Sequence, residues 1–198
     1  MSSTQWAPTM AQAGIFATDG TSPWGNANRI FLKYCSSDFW SGDVGASPAT
    51  YNYNFRGSRI VAATITDLLT TQGMGSTPGA QLLFSGCSAG AIGAMNNLDA
   101  VAAQLPPSVT MRGMLDAAAL LDITPTGWSW SNQLETLQSL MQQVVSIVQP
   151  VFPQVCLDAF PGESYKCLVG CVAAAAQLPR CTPATRCTRA ARCKRAVR

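Results

Sequence analysis

The sequence contains no histidine among its 198 residues. Serine hydrolases usually need an imidazole to take the proton of the nucleophilic hydroxyl. These residues therefore cannot carry out serine-dependent hydrolysis by the usual route. Charged residues are also scarce, at 12% of the chain, whereas 47% of the residues are hydrophobic. That balance excludes a disordered protein and predicts one globular unit with a sizeable core.

The first twenty residues have neither a basic segment nor the apolar run of a secretory signal. No stretch of the chain approaches the roughly 20 consecutive apolar residues of a membrane span. The sequence therefore predicts no signal peptide and no membrane span. Eight cysteines conflict with an intracellular location, because such counts are usual in disulfide-forming compartments. The loss of an N-terminal segment would reconcile the two observations.

The basic residues are concentrated at one end of the chain. Seven of the thirteen follow Pro179, and no acidic residue does. The preceding part therefore has six basic and ten acidic residues, a net charge of −4. This excess of acid argues against a nucleic-acid-binding face on the globular portion.

After Gly170 the sequence becomes an alanine run and then a mixture of arginine, threonine, alanine and cysteine. Cys181, Cys187 and Cys193 recur at six-residue steps, unlike the closely spaced cysteine pairs of structural zinc sites, so no metal is predicted. Residues 171–198 are predicted to be a disordered basic tail or an artefact such as out-of-frame translation. A third possibility is that this arm holds RNA by charge alone.

Hydrophobic periodicity predicts strands and helices in alternation. Val61, Ile65, Leu68 and Leu69 share one helical face, with Gly73 as a stop. The order strand, helix, strand, helix, strand predicts an α/β fold with a parallel sheet and helices on both faces. The other predicted elements are strands 29–34, 81–85 and 109–115 and a helix over 89–105.

A further helix is predicted from Asn132, with Glu135 three residues on as a start signal, until Pro150. Its apolar side chains recur at helical spacing. Core packing is favoured over a binding role for this stripe.

The segment Gly86-Cys87-Ser88-Ala89-Gly90 lies between the second predicted strand and the next helix. This arrangement is typical of a nucleophile elbow, a sharp turn that exposes a serine. The small residues on either side are predicted to be sterically required. Ser88 is the candidate nucleophile, and the backbone N–H of Ala89 is the candidate oxyanion donor. The pattern favours acyl transfer.

The remaining members of a catalytic triad are not evident. A lysine can replace histidine in Ser-Lys enzymes, but none here has a recognisable setting. The carboxylates available are Asp99, Asp116, Asp122, Glu135, Asp158 and Glu163, and the lysines are Lys33, Lys166 and Lys194.

Several segments together resemble the pectin acetylesterase and Notum family of carboxylesterases. The most specific is the string Tyr-Cys-Ser-Ser-Asp-Phe-Trp-Ser-Gly at residues 34–42, at the family's spacing from Ser88. The other matching segments are 25–29, 55–57, 85–90, 97–99, Arg112-Gly113 with Asp116 and Asp122, 152–156 and 165–167.

The resemblance implies an α/β-hydrolase fold, incomplete at both ends, in a partial domain over residues 1–170. It implies Ser88 as nucleophile and no metal or organic cofactor. The family's glycine-rich oxyanion loop belongs upstream of Met1, and its catalytic Asp and His belong downstream of the matching residues. Asp116 and Asp122 are interpreted as scaffold carboxylates. Ala91 departs from the family's second glycine, and residues 116–122 have lost a glycine and an aromatic residue.

The resemblance also implies that Cys35 pairs with an upstream cysteine that is missing here. Cys87 is interpreted as a packed small side chain and not as a second nucleophile. Pairing among Cys156, Cys167 and Cys171 is plausible, but the sequence does not assign it.

The function that follows is hydrolysis of acetyl esters on a pectin-like cell-wall polysaccharide, or of another acyl ester, by an extracellular or cell-wall enzyme. The family also includes enzymes that remove a lipid acyl group from a signalling protein. Without histidine, this chain is expected to be inactive on its own. The alternative is a non-catalytic hydrolase-like protein that binds acylated ligands or glycans.

Overall fold

The computed structural model describes residues 6–7, 13–118, 120 and 136–169. The chain divides into two compact units, Met1–Cys35 and Ser36–Arg198. The tail predicted over residues 171–198 lies outside the described residues.

In the first unit, the strand predicted over residues 29–34 is wrong. These residues form neither helix nor strand, and Ile30 and Phe31 are 44% and 50% exposed. Phe31 instead meets Phe16 edge to face, with ring centroids 5.7 Å apart. An apolar, branched run forms a strand only when a neighbouring edge accepts its backbone hydrogen bonds, and no such edge adjoins it in the described part of this unit.

In the second unit, α1 spans Gly57–Thr70 and confirms the predicted helix. Its buried face contains Val61 and Ile65. The chain turns at Gly73, whose φ of +72° suits glycine. α1 packs against the next helix, α2 (Ala89–Gln104).

The central motif is β1 (Ala80–Cys87), α2 (Ala89–Gln104) and β2 (Val109–Asp116). The strands pair in parallel, from Ala80 opposite Val109 to Cys87 opposite Asp116, as predicted. α2 packs against both strands, and Pro106 and Pro107 follow it. The carboxyl ends of both strands therefore lie at one edge of the sheet, where the elbow emerges.

α2 is the most deeply buried element of this motif. Its residues 91–97 are all buried, which is typical of a helix covered on several sides. Ile92 belongs to one apolar cluster and Met95 to another.

α3 spans Leu137–Val148, with Thr136 as its N-cap. The Thr136 hydroxyl accepts a hydrogen bond of 3.1 Å from the Ser139 N–H, which caps the start of α3. The predicted start signal, Asn132 with Glu135, lies outside the described residues. The interpretation of its stripe as core is confirmed, because Met141 packs with Ile92, Tyr165, Leu168 and Val169.

α4 spans Gln154–Ala159 and is joined to the 3-10 segment Ser164–Leu168 by a disulfide. The bond links Cys156 and Cys167, with Cα atoms 6.0 Å apart. This assigns one of the pairings that the sequence left open, and Cys171 lies outside the described residues. Cys35 is a free cysteine.

Helices that combine the length and the apolar character needed to cross a bilayer are absent from the described parts of the chain.

Candidate active site

The elbow serine has the backbone conformation of a strained turn. Ser88 stands between β1 and α2 with φ +54° and ψ −121°, a region that side-chain-bearing residues rarely occupy and that costs about 1–3 kcal/mol. Two kinds of hydrogen bond hold it there. The Ser88 N–H donates to the Asp116 carbonyl at 2.9 Å, and the N–H groups of Ala91 and Ile92 donate to the Ser88 carbonyl at 2.9 and 3.2 Å. The Ser88 residue is exposed.

Gly86 is required at the elbow because there is no space for a side chain. A Cβ at Gly86 would lie 2.7 Å from the Ala91 nitrogen and would overlap the carbonyl group of Gly90. A Cβ at Gly90 would meet nothing within 4 Å. The prediction that both positions are sterically restricted is therefore correct for Gly86 and wrong for Gly90, because Gly90 contributes its carbonyl group to this contact.

A matched pair of substitutions tests this geometry. Gly86→Ala should lower the free energy of unfolding by about 2 kcal/mol or more, as overpacking does. Gly90→Ala should leave stability unchanged or raise it by up to about 1 kcal/mol, because alanine favours the helix more than glycine does. Urea unfolding followed by circular dichroism measures both. Equal effects would contradict the packing described for the turn.

The backbone N–H of Ala89 begins α2. The first N–H groups of a helix have no partner within the helix, and the helix dipole places partial positive charge at the same end. The Ala89 N–H therefore lies directly beside the Ser88 side chain in sequence and at the end of α2 that favours an oxyanion.

Cys87 lies beside Ser88 and contacts Asp116. The residue is exposed, so the interpretation of a packed side chain is wrong: the last residue of β1 reaches the open edge of the sheet. The hydrogen bond to the Asp116 carboxylate raises the pKa of the Cys87 thiol, and desolvation and the negative charge of Asp116 raise it further. A raised pKa disfavours the reactive thiolate at neutral pH, which agrees with a thiol that does not replace Ser88.

Asp116→Asn should lower the pKa of the Cys87 thiol, because it removes the carboxylate whose hydrogen bond with the thiol and whose negative charge both oppose ionisation. The variant should therefore react faster with iodoacetamide at Cys87 at pH 7–8, with the difference disappearing at high pH where both thiols are ionised. Peptide-resolved mass spectrometry of the alkylation rate checks this. The reaction at Cys35 is an internal control and should not change.

The other candidate acids and bases lie in different settings. Asp158 accepts a hydrogen bond from Gln154 at 2.8 Å, and Glu163 pairs with Lys166 at 2.7 Å. The structure thus brings Cys87, Ser88 and Asp116 together at the elbow, and the scaffold role of Asp116 stays a prediction. Asp99 lies on α2, Lys33 lies in the first unit, and Asp122, Glu135 and Lys194 lie outside the described residues.

The family-like string at residues 34–42 forms a buried loop. Asp38 is fully buried and accepts three hydrogen bonds. One carboxylate oxygen accepts from the Ser36 hydroxyl at 2.5 Å and the Trp40 N–H at 3.0 Å. The other accepts from the Gly57 N–H at 2.7 Å. Asp38 therefore satisfies a backbone donor at the start of α1, and we name residues 36–42 the Asp38 loop.

The Asp38 loop has an unusual backbone. Ser37, Phe39 and Trp40 all have φ between +53° and +59°, a region uncommon for residues other than glycine and rarest for bulky ones. A Cβ at Gly57 would lie 2.5 Å from the Trp40 Cα. The sequence predicted the string as a family marker and did not identify this structural role, because its contacts reach distant residues, 19 positions away at Gly57 and 57 positions away at Asn97.

The sequence matches the pectinacetylesterase family over residues 1–176. It is 34% identical to palmitoleoyl-protein carboxylesterase notum1 of Xenopus laevis over 181 residues, which cover 86% of this chain and 36% of that protein. Pectin acetylesterase 11 of Arabidopsis thaliana is 36% identical over 102 residues, 50% of this chain and 25% of that enzyme.

A crystal structure of the Wnt deacylase Notum from Drosophila matches the fold with a TM-score of 0.80 and 30% identity, covering 92% of this chain and 52% of that one. The chain thus spans about half of that structure and between about a quarter and a third of these curated relatives. The likeness confirms the predicted α/β-hydrolase-like fold. Because the family match extends over most of its length, the chain belongs to the pectin acetylesterase family of carboxylesterases.

Proposed function

We propose that Ser88 is the nucleophile of an ester hydrolase that removes acetyl groups from a pectin-like polysaccharide. The observation that carries the proposal is the strained, exposed conformation of Ser88 at the junction of β1 and α2 in a chain of this carboxylesterase family. Strain of this kind persists only where the surroundings hold it, and it concentrates at functional sites.

In this mechanism, the Ser88 hydroxyl attacks the ester carbonyl and the Ala89 N–H stabilises the oxyanion that forms. The alcohol of the sugar leaves, an acetyl-Ser88 intermediate remains, and water releases acetate. A base must take the Ser88 proton and return it to the leaving oxygen. The 198 residues contain no imidazole, so this sequence does not supply the usual base, and we expect no turnover from these residues alone.

The choice of acetyl as the acyl group is supported by the family description and by the plant relative. The matching family is that of pectinacetylesterases, and identity to the plant enzyme is 36% over a matched segment of 102 residues. The palmitoleoyl-protein carboxylesterases match more of the chain, at 34% over 181 residues for Xenopus laevis and 31% over 179 residues for Drosophila melanogaster. The names of these relatives identify the two acyl groups, acetyl and palmitoleoyl, that a test must compare.

A location outside the cell is supported by the cysteines. The structure contains the disulfide Cys156–Cys167, and structural disulfides form and persist in oxidising compartments. We propose a secreted or cell-wall protein.

A chimera tests the proposed function. Residues 13–118 of this chain would replace the corresponding residues of a full-length pectin acetylesterase, which supplies the missing base. The chimera should release acetate from acetylated pectin and leave a palmitoleoylated peptide intact, and Ser88→Ala should abolish the release. A folded chimera without Ser88-dependent ester hydrolysis would refute the proposal, and preference for the lipid ester would refute its acetyl specificity.

A second candidate is a non-catalytic binding protein for acylated ligands or glycans. The absence of histidine favours this candidate, and so does the backbone at Ala117. This residue follows β2 with φ +53°, a conformation that glycine would adopt with less strain. Binding of acetylated oligogalacturonide to the chain, unchanged by Ser88→Ala and without acetate release, would support this candidate. Turnover that depends on Ser88 would exclude it.

A further inference from the structure

The Asp38 loop contacts α2 at two successive turns. At Gly93, a Cβ would lie 2.5 Å from the Trp40 Cβ and 2.6 Å from the Phe39 carbonyl oxygen, so the loop rests directly on the helix backbone. One turn later, the Asn97 side-chain amide donates to the Trp40 carbonyl at 2.8 Å. Gly93 and Asn97 are four residues apart and therefore share one face of α2.

The same loop is tied to a second helix. Asp38 binds the Gly57 N–H at the start of α1, and the Gly42 carbonyl accepts hydrogen bonds from both the N–H and the hydroxyl of Ser58, at 3.2 and 2.9 Å. The loop thus connects the first turn of α1 to the second and third turns of α2.

The elbow supplies a separate contact on α2. Gly86 packs against the Gly90 carbonyl group and the Ala91 nitrogen in the first turn. A helix held at its first turn alone can still pivot about that point. Contacts at Gly93 and Asn97 add fixed points further along the axis. Beside the packing of α2 against both strands and α1, they contribute to the direction in which the N-terminal N–H groups of α2 point.

We propose that the Asp38 loop is a positioning element for the oxyanion donor, with Asn97 as the positioning residue that links the loop to α2. The inference rests on the proposed function, since it assigns the Ala89 N–H to the oxyanion. Asp38, Trp40 and Ser41 act through α2 and not by direct contact with substrate, because Asp38 and Ser41 are fully buried and Trp40 is 7% exposed.

The hydrogen bonds also show why a strained loop is retained. Three residues in left-handed conformations each cost about 1–2 kcal/mol, and the three bonds to Asp38, with those from Asn97, offset that cost. Asn96 adds a bond of 3.2 Å from its amide to the Ser41 hydroxyl, which in turn donates to the Phe39 carbonyl at 3.0 Å.

The test uses a thiol as a probe of the α2 N-terminus and needs no ester hydrolysis. Ser88→Cys, in the full chain with Cys87→Ser, places one thiol at the elbow. The helix N-terminus lowers the pKa of a thiol in this position, so the alkylation rate at pH 7 reports how well the N–H groups point at it. The described titratable neighbour there, the Asp116 carboxylate on β2, is present in every variant.

Asn97→Ser is the informative substitution. A serine hydroxyl bonds the carbonyl four residues earlier in its own helix, which preserves the bond that Asn97 makes to Gly93 at 2.8 Å, but it is too short to reach Trp40. Gln104→Ser is the matched control, because Gln104 also donates to the carbonyl four residues earlier, that of Ala100, at 3.2 Å. Circular dichroism checks that each variant keeps its helices, and Asn97→Ala provides a second variant.

Asn97→Ser should slow iodoacetamide alkylation of the probe thiol at pH 7 by about two- to fivefold, the range expected when a helix N-terminus loses its alignment. The rate at pH 10 should be unchanged, which separates a pKa effect from a change in access. Gln104→Ser should leave both rates unchanged. Equal rates at pH 7 for Asn97→Ser, Asn97→Ala and the parent would overturn the inference, whereas the proposed function would be refuted separately, by an inactive chimera.

Discussion

Asp38→Ala should lower the free energy of unfolding by about 3 kcal/mol or more, because each buried donor left without an acceptor costs about 1–3 kcal/mol. Three donors lose their acceptor: the Ser36 hydroxyl and the N–H groups of Trp40 and Gly57. The Gly57 N–H is a backbone donor in the first turn of α1, and the substitution leaves it without its acceptor. Urea unfolding monitored by circular dichroism measures the change.

The matched control is Asp43→Ala in the same part of the chain. Asp43 pairs with Arg59, whose side chain is 61% exposed, and exposed ion pairs contribute about 0–1 kcal/mol. The Asp43 variant should therefore lose at most about 1 kcal/mol. If both variants unfold at the same urea concentration, the Asp38 loop does not have the structural role described for it.

The second large effect concerns activity. The 198-residue chain should hydrolyse p-nitrophenyl acetate no faster than its Ser88→Ala variant. Removing one triad member leaves about 10³–10⁴-fold catalysis over water from the oxyanion hole and binding. This residual catalysis does not require the serine.

A Ser88-dependent rate that persists over many turnovers would contradict this expectation. It would mean that another group activates Ser88, and Asp116 would be the first residue to substitute, because the described structure places it at the elbow.

Local pattern predicted the β1-α2-β2 motif well. The strand, the turn at Ser88 and the following helix each depend on neighbouring residues, and parallel pairing follows from the alternation of strands and helices. The boundaries differ from prediction by one or two residues, with β1 at Ala80–Cys87 and α2 ending at Gln104.

Features that depend on distant residues were not predictable in the same way. An apolar run predicted a strand at residues 29–34, but strand formation needs a partner edge that the run itself does not reveal. The openness at Gly90 and the exposure of Cys87 depend on which side of the turn meets α2. The hydrogen bond of Asn97 to Trp40 joins residues 57 apart, and no periodicity indicates it.

The most direct test of the account is fluorophosphonate titration of Ser88, carried out on the 198-residue chain and on the chimera with a full-length pectin acetylesterase, each beside its Ser88→Ala variant. The account predicts stoichiometric labelling at Ser88 in the chimera, because the elbow is formed and a base is supplied. It predicts no such labelling in the chain alone. Stoichiometric labelling of the chain alone with sustained ester turnover, or a folded chimera that remains unlabelled at Ser88, would contradict it.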